Sequence, residues 1–250
     1  MEGVVIYDVK TGSKGLFSEV FIARRDGVNC LAKVSQRKHI DIFKNEISIL
    51  KKLVDAPHFP NLLGALTGDE ELVILMSDCG DDLDCATTVL SMPCMLDHIS
   101  RGLEILHSMG MVHCDVKPSN ITVKDDVYYL VDLGFCASQK LHYTPRGSVN
   151  YSSVYAQISG RVRPIDDLIS LVHVAMKKQA NRLPWSHYTS EKDIIIVKNR
   201  VSAPFFTEVW APYSKDLFHL YNSCVRQHED ISKGMQHIVD YQRFRFPKSK

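Results

Sequence analysis

The chain predicts an α+β fold in two parts: a small antiparallel sheet carrying one packed helix, then a mainly helical remainder. Three observations predict it. Residues 1 to 76 read as strand, strand, strand, helix, strand, strand, the order expected of an antiparallel sheet with a helix laid on one face. From residue 81 onward, apolar residues recur at helical spacing. Within that second stretch, Ile121 to Val123 and Val127 to Val131 form two short apolar runs that read as a strand pair.

Bulk properties bound the function. With 250 residues and 45% apolar content, the chain can bury a substantial core as one unit. Its 30 basic and 29 acidic side chains leave a net charge of +1, so no surface for nucleic acid or membrane is expected at the level of the whole chain. Arg243, Arg245, Lys248 and Lys250 make a sparse basic tail that reads as a solvated terminus. The seven cysteines are an odd number without a C-x-x-C pair, which points to a reducing compartment. The start lacks a basic-then-apolar signal region, and no run reaches the ~18 apolar residues of a membrane span. A soluble intracellular monomer, cytoplasmic or nuclear, is the expectation.

The elements follow in order. Ser13-Lys14-Gly15-Leu16-Phe17-Ser18-Glu19-Val20 joins the first two strands. Cys30-Leu31-Ala32-Lys33-Val34 reads as a buried strand carrying one lysine. Ile42, Glu46, Ile49, Leu50 and Leu53 share one face of a helix predicted from about Lys38 to Val54. A glutamate on that apolar face calls for a cation, and Lys33 is the obvious one. Leu72 to Met76 is the last strand of the first part, and Ser77-Asp78-Cys79-Gly80 follows as a turn. Leu96, Ile99, Leu103 and Leu106 mark a helix that Gly110 ends. A late helix runs from Tyr213 to Arg226.

Two segments carry the chemistry. His113-Cys114-Asp115-Val116-Lys117-Pro118-Ser119-Asn120 is followed, twelve residues after the asparagine, by Asp132-Leu133-Gly134. This pair resembles the H-R-D-x-K-x-x-N catalytic loop and D-F-G turn of protein kinases, with one substitution in each. The resemblance implies a bilobal kinase fold: an N-lobe at 1–76, a hinge at 77–80 and a C-lobe at 81–250, together one kinase domain. It implies ATP and Mg²⁺, or Mn²⁺, as cofactors. Asp115 would orient the acceptor hydroxyl and take its proton, and Lys117 would hold the transferring phosphoryl group. Asn120 and Asp132 would supply the few protein oxygens that hard Mg²⁺ needs. Lys33, fixed by Glu46, would meet the α and β phosphates. Gly15 and Val20 belong to the phosphate-covering loop, although Ser13 and Ser18 replace its outer glycines. Met76 would guard the back pocket, with the main chain of Ser77 and Cys79 at the adenine edge. His113, Leu133 and Leu50 would stack in an apolar spine.

A finer resemblance rests on Gly147-Ser148-Val149-Asn150-Tyr151-Ser152-Ser153-Val154-Tyr155, Arg163-Pro164-Ile165-Asp166-Asp167-Leu168 and Leu183-Pro184-Trp185. These are similar to the casein kinase 1 family, and they imply a serine/threonine kinase acting on protein hydroxyls, with Asp167 binding the backbone of the catalytic loop. Cys114 departs from the arginine that reads an activation-segment phosphate in many kinases, and Asn150 from an arginine beside the substrate. Two other readings stay open. The altered glycine loop suits a pseudokinase scaffold, and a small-molecule kinase shares the fold.

Overall fold

A computed structural model gives the structure of the chain and describes residues 4–14, 17–86, 91–139, 147–201, 213–232 and 241–244. Gly15, Thr144 and the tail from Arg245 lie outside the described residues. Contacts divide the chain into two units: Met1–Val89 with Pro118–Cys136, and Leu90–Lys117 with Ala137–Lys250. This partition gives residues 81–89 and 118–136 to the first unit, where the sequence reading placed them after the hinge.

The first unit is built on a five-stranded antiparallel sheet in the order β1-β2-β3-β5-β4, comprising β1 (Val4–Lys14), β2 (Ser18–Arg25), β3 (Val28–Gln36), β4 (Leu62–Thr67) and β5 (Glu71–Met76). The β2–β3 hairpin turns on Asp26-Gly27 with φ values of 51° and 82°. Two left-handed residues in a two-residue loop match the right-handed twist of the strands, which fixes the register. That register sets Val20 opposite Lys33, and Lys33 opposite Ile74. Helix α1 (Ile40–Leu50) buries Phe43, Glu46, Ile49 and Leu50. It is shorter than the predicted 38–54. Arg37–His39 form a 3₁₀ turn, and beyond Leu50 the amide of Leu53 returns to the carbonyls of Ile49 and Leu50 before Asp55 turns left-handed at φ 53°. Pro57 and Pro60, which lack an amide to continue the ladder, follow.

After Gly80 the chain is not yet helical, contrary to expectation. Asp81–Asp82 form a short strand, β6, that pairs with β8 (Ile121–Lys124), which in turn pairs with β9 (Val127–Leu130). The β8–β9 turn uses Asp125 and Asp126, at φ 48° and 62°, again a two-residue loop of left-handed residues. Because Ile121 faces Leu130, the ladder leaves Asn120 opposite Val131, whose amide donates to the Asn120 carbonyl at 3.0 Å. The open end of this hairpin therefore carries Asn120 on one strand and Asp132 just past the other. The hairpin is tied to the sheet-bearing segment by His58, whose carbonyl accepts from Leu130 N and whose ring bonds the Tyr128 carbonyl.

The second unit is helical. Helix α2 (Met92–Ser108) buries Leu96, Ile99, Leu103 and Leu106, and Gly110 follows it at φ +74°. Strand β7 (Met111–Val112) pairs with β10 (Ala137–Ser138). Helix α3 (Val154–Ser159) is capped by the Ser153 hydroxyl, which accepts from Ala156 N. Helix α4 (Pro164–Ala180) is buried without a break from Ile165 to Met176, which makes it the unit's centre. Its proline at the first position suits a helix start, where no amide partner is needed. Helices α5 (Glu191–Val201) and α6 (Lys215–Ser232) complete it, with a 3₁₀ turn at Tyr241–Phe244 packed on α2. The seven cysteines are all free thiols. Among the described residues no helix is long and apolar enough to cross a membrane.

Candidate active site

In the first unit the sheet and α1 bring three charged groups together. Lys33 leaves β3 toward α1, and its Nζ lies 2.6 Å from Glu46 Oε2 and 2.7 Å from Asp132 Oδ1. Burial by itself would lower the lysine pKa, but the two carboxylates outweigh it and hold the ammonium charged. Burial raises the Glu46 carboxyl against the pull of Lys33, and Asp132 adds to the rise. The cluster holds two acids and one base. Asp132, with 29% of its side chain exposed, sits at its open edge.

Asp132 itself is held at φ 63°, a left-handed conformation that L side chains adopt at a cost of ~1–3 kcal/mol. What holds it is Asn45 on α1. Its Nδ2 donates to the carbonyls of Gly134 and Cys136, at 3.0 and 2.9 Å, so the turn after Asp132 is pinned to the helix that carries Glu46. Gly134 has no room for a side chain: a Cβ would lie 2.5 Å from the Ile42 methyl. Leu133 and Leu50 are both fully buried here. Phe17, just before β2, stacks edge-on against Phe135 at 5.6 Å and His39 at 4.8 Å, while its carbonyl accepts from the Ser35 hydroxyl.

The segment after β5 is held by its own side chains. Met76 and Cys79 are buried and Ser77 is half-buried. Ser77 N donates to the Asn61 carbonyl, and the Ser77 hydroxyl accepts from Asn61 N. Asp78 accepts from Gly80 N through one oxygen and pairs with Lys124 through the other, at 2.9 and 2.7 Å. The ammonium and the amide keep the Asp78 carboxyl below its ordinary range despite burial. Gly80, at φ +79°, is required twice over, since a Cβ would also fall 2.0 Å from the Val123 carbonyl oxygen. Burial pushes the Cys79 thiol up to about 11, so it is inert.

In the second unit, Asp115 is buried to 3% exposure with both oxygens occupied. Oδ2 accepts from Lys117 Nζ at 2.6 Å, and Oδ1 accepts from Ser148 N at 2.9 Å. The loop is anchored from α4. Asp167 Oδ2 accepts from His113 N at 2.7 Å and Oδ1 from Cys114 N at 3.0 Å, the contact expected of it. His113 is wholly buried and its ring nitrogen accepts from Asp115 N. Cys114 holds φ 70°, and its thiol, raised far by burial and by Asp167, donates to the Val112 carbonyl.

Sequence reasoning missed several of these groups. Asn45 gives no signal, being one polar residue on a mixed helix. His107 did leave one: it lies at the spacing of the buried face of α2. Its Nε2 is 2.8 Å from Asp167 Oδ2, and its Nδ1 is 2.5 Å from the Tyr241 hydroxyl. Asp167 can only accept, so the proton is on Nε2 and Tyr241 donates to Nδ1.

The residues fit a nucleotide and a hard cation. The cluster has one acid in excess, with the half-buried Asp132 carboxylate at its open edge, Asn120 and Asp132 offer oxygen atoms to a metal, and Lys33 is a fixed ammonium suited to phosphate.

A model of the protein kinase domain matches residues 9–243. A probable serine/threonine-protein kinase of Dictyostelium discoideum is 24% identical over 241 aligned positions, covering 85% of this chain and 48% of the relative. A casein kinase 1-like protein of Oryza sativa subsp. japonica is 32% identical over 119 positions, 40% of this chain and 17% of the relative. A serine/threonine-protein kinase of Saccharomyces cerevisiae is 30% identical over 135 positions, 48% of this chain and 18% of the relative. The chain thus spans less than half the length of each of these curated relatives.

Proposed function

Because the chain belongs to the protein kinase family, we propose that it is an active serine/threonine kinase that moves the γ-phosphoryl group of ATP to a protein hydroxyl. The observation that carries this reading is the Lys33 ammonium shared between Glu46 and Asp132, three residues from separate elements joined at 2.6 and 2.7 Å. Two carboxylates converging on one buried lysine suit a site that fixes phosphate and metal.

Bound Mg²⁺-ATP supplies the transferable phosphoryl group and neutralises its charge. Asn120 and Asp132 are the residues that would hold the metal, and Lys33 the phosphates. Gly15, Val20, Met76 and the main chain of Ser77 and Cys79 would enclose the nucleotide. Asp115 takes the proton of the acceptor hydroxyl on a carboxylate oxygen. Its orientation is already set by Ser148 N and Lys117, so little reorganisation accompanies proton transfer. From that same position the Lys117 ammonium would offset the charge that develops on the transferring group.

The test is transfer of labelled phosphate from ATP to casein with Mg²⁺ or Mn²⁺. Wild type should label casein, and Asp115→Asn should lose ~10²- to 10⁴-fold in rate while still binding a fluorescent ATP analogue. A wild type that binds ATP but transfers nothing with either metal would make this a pseudokinase, the reading that Ser13 and Ser18 in the glycine loop favour.

A further inference from the structure

Residues 147–153 precede α3 and contain no helix or strand, yet four of their carbonyls and one amide bond side chains from elsewhere in the fold. Lys198 on α5 donates from Nζ to the carbonyls of Val149 and Ser152, at 2.5 and 2.7 Å. Trp185 Nε1 donates to the Asn150 carbonyl at 2.9 Å, and His173 Nδ1 lies 2.6 Å from the Tyr151 carbonyl. Four consecutive carbonyls are thus each held by a side chain from elsewhere in the helical unit. At the near end, Ser148 N is bound by Asp115, and Gly147 lies so close to the Cys114 carbonyl that a Cβ would stand 2.2 Å from it. At the far end, Ser153 bonds Asp166 and caps α3.

The three donors support one another. Lys198 is fully buried, its ammonium lies 5.2 Å over the Trp185 ring, and Gln157 Oε1 accepts its third bond at 3.3 Å. His173 packs edge-on against the same tryptophan at 4.8 Å. A buried lysine is costly unless it is paired, and here two main-chain carbonyls and the Gln157 amide oxygen accept from it. Burial lowers its pKa to about 7, opposed by Glu191. A neutral amine still has two N–H groups for the two carbonyls, so the arrangement survives either protonation state.

We propose that Lys198, Trp185 and His173 form a clamp that fixes residues 149–152 in the shape that presents the acceptor protein to Asp115, with Lys198 its central positioning residue. The proposal rests on the kinase reading above. A phosphate on the activation segment is not needed to order this stretch, because the ordering is done by groups already in the fold.

The test compares wild type with Lys198→Met and Trp185→Phe, the second of which keeps the ring and loses one hydrogen bond. Casein phosphorylation is measured at varied casein and at varied ATP, beside hydrogen–deuterium exchange of residues 147–153. The expected result is a rise in KM for casein of about tenfold for Lys198→Met and a smaller rise for Trp185→Phe, as for a misplaced substrate platform. KM for ATP should stay within about twofold, since no group of the clamp is proposed to touch nucleotide. Exchange over 147–153 should quicken in both variants. Equal change in both KM values, or unchanged exchange and casein KM in the well-folded Trp185→Phe protein, would overturn the clamp. A wild type that phosphorylates nothing would instead remove the kinase reading, and exchange, which needs no activity, would still decide whether the clamp holds the segment.

Discussion

His173 is held neutral in the fold. Its Nδ1–H serves the Tyr151 carbonyl, and its Nε2 is buried with no hydrogen-bond partner among the described residues. Burial first, and then the Lys198 charge, lower its pKa to about 3 from an ordinary 6.5. A folded pKa below the unfolded one contributes stability that is complete above pH 6.5 and is lost as pH falls toward 3. We therefore expect Tm of the wild type to fall across that window, and Tm of His173→Asn to fall less steeply by about one proton's worth of slope. Parallel pH profiles of the two proteins in thermal melts would contradict this. Asp132 is the other residue whose environment makes a firm demand. Asp132→Ala should abolish the thermal shift given by Mg²⁺-ATP, which at ~100 Kd amounts to ~2.7 kcal/mol for the intact site.

Two contacts join elements rather than residues. Asn45 couples α1 to the turn after Asp132 through the carbonyls of Gly134 and Cys136. Asn45→Leu removes both hydrogen bonds, each worth ~0.5–1.5 kcal/mol net. The expected outcome is a loss of that order in urea unfolding, together with weaker Mg²⁺-ATP binding as Asp132 loses its fixed conformation. The second contact is the chain from Tyr241 through His107 to Asp167, which ties the 3₁₀ turn at Tyr241–Phe244 to the backbone of His113. Burial and the charges of Asp167 and Glu104 raise the Tyr241 hydroxyl well above its ordinary range, so it stays a donor at every physiological pH. Tyr241→Phe leaves His107 Nδ1 without that donor. A fall in kcat at unchanged KM for ATP is expected, while an unchanged kcat would show that Asp167 holds the loop unaided.

For the molecule as a whole, the clamp and the missing arginine lead to one expectation. Kinases that need activation-segment phosphorylation pair the phosphate with the arginine before the catalytic aspartate, and Cys114, at that position, is a half-buried neutral thiol. Phosphatase-treated enzyme should phosphorylate casein without a lag, and Ser138→Ala with Thr144→Ala should keep most activity. A large loss in both experiments, with circular dichroism unchanged, would mean that another cation has taken the arginine's task.

Much of this was legible before any coordinates. Helical and strand periodicity, a lysine in a buried strand and a glutamate on an apolar helix face are local patterns, and each states its own chemistry: the order β1-β2-β3-α1-β4-β5 and the pairing of Lys33 with Glu46 could be read directly. The two-residue Asp-Gly loop at 26–27 and the buried spacing of His107 were equally local signals that could have been used. The rest depended on tertiary structure for a definite reason. Asn45, Lys198, Trp185 and His173 act on main-chain carbonyls, which every residue has, so nothing in the sequence marks the partner. Those carbonyls lie 89 residues from Asn45 and 49 from Lys198, and Tyr241 stands 134 residues from His107. Local pattern determined which residues carry charge and which elements carry them. Only the closing of long loops decided which backbone groups those side chains would hold.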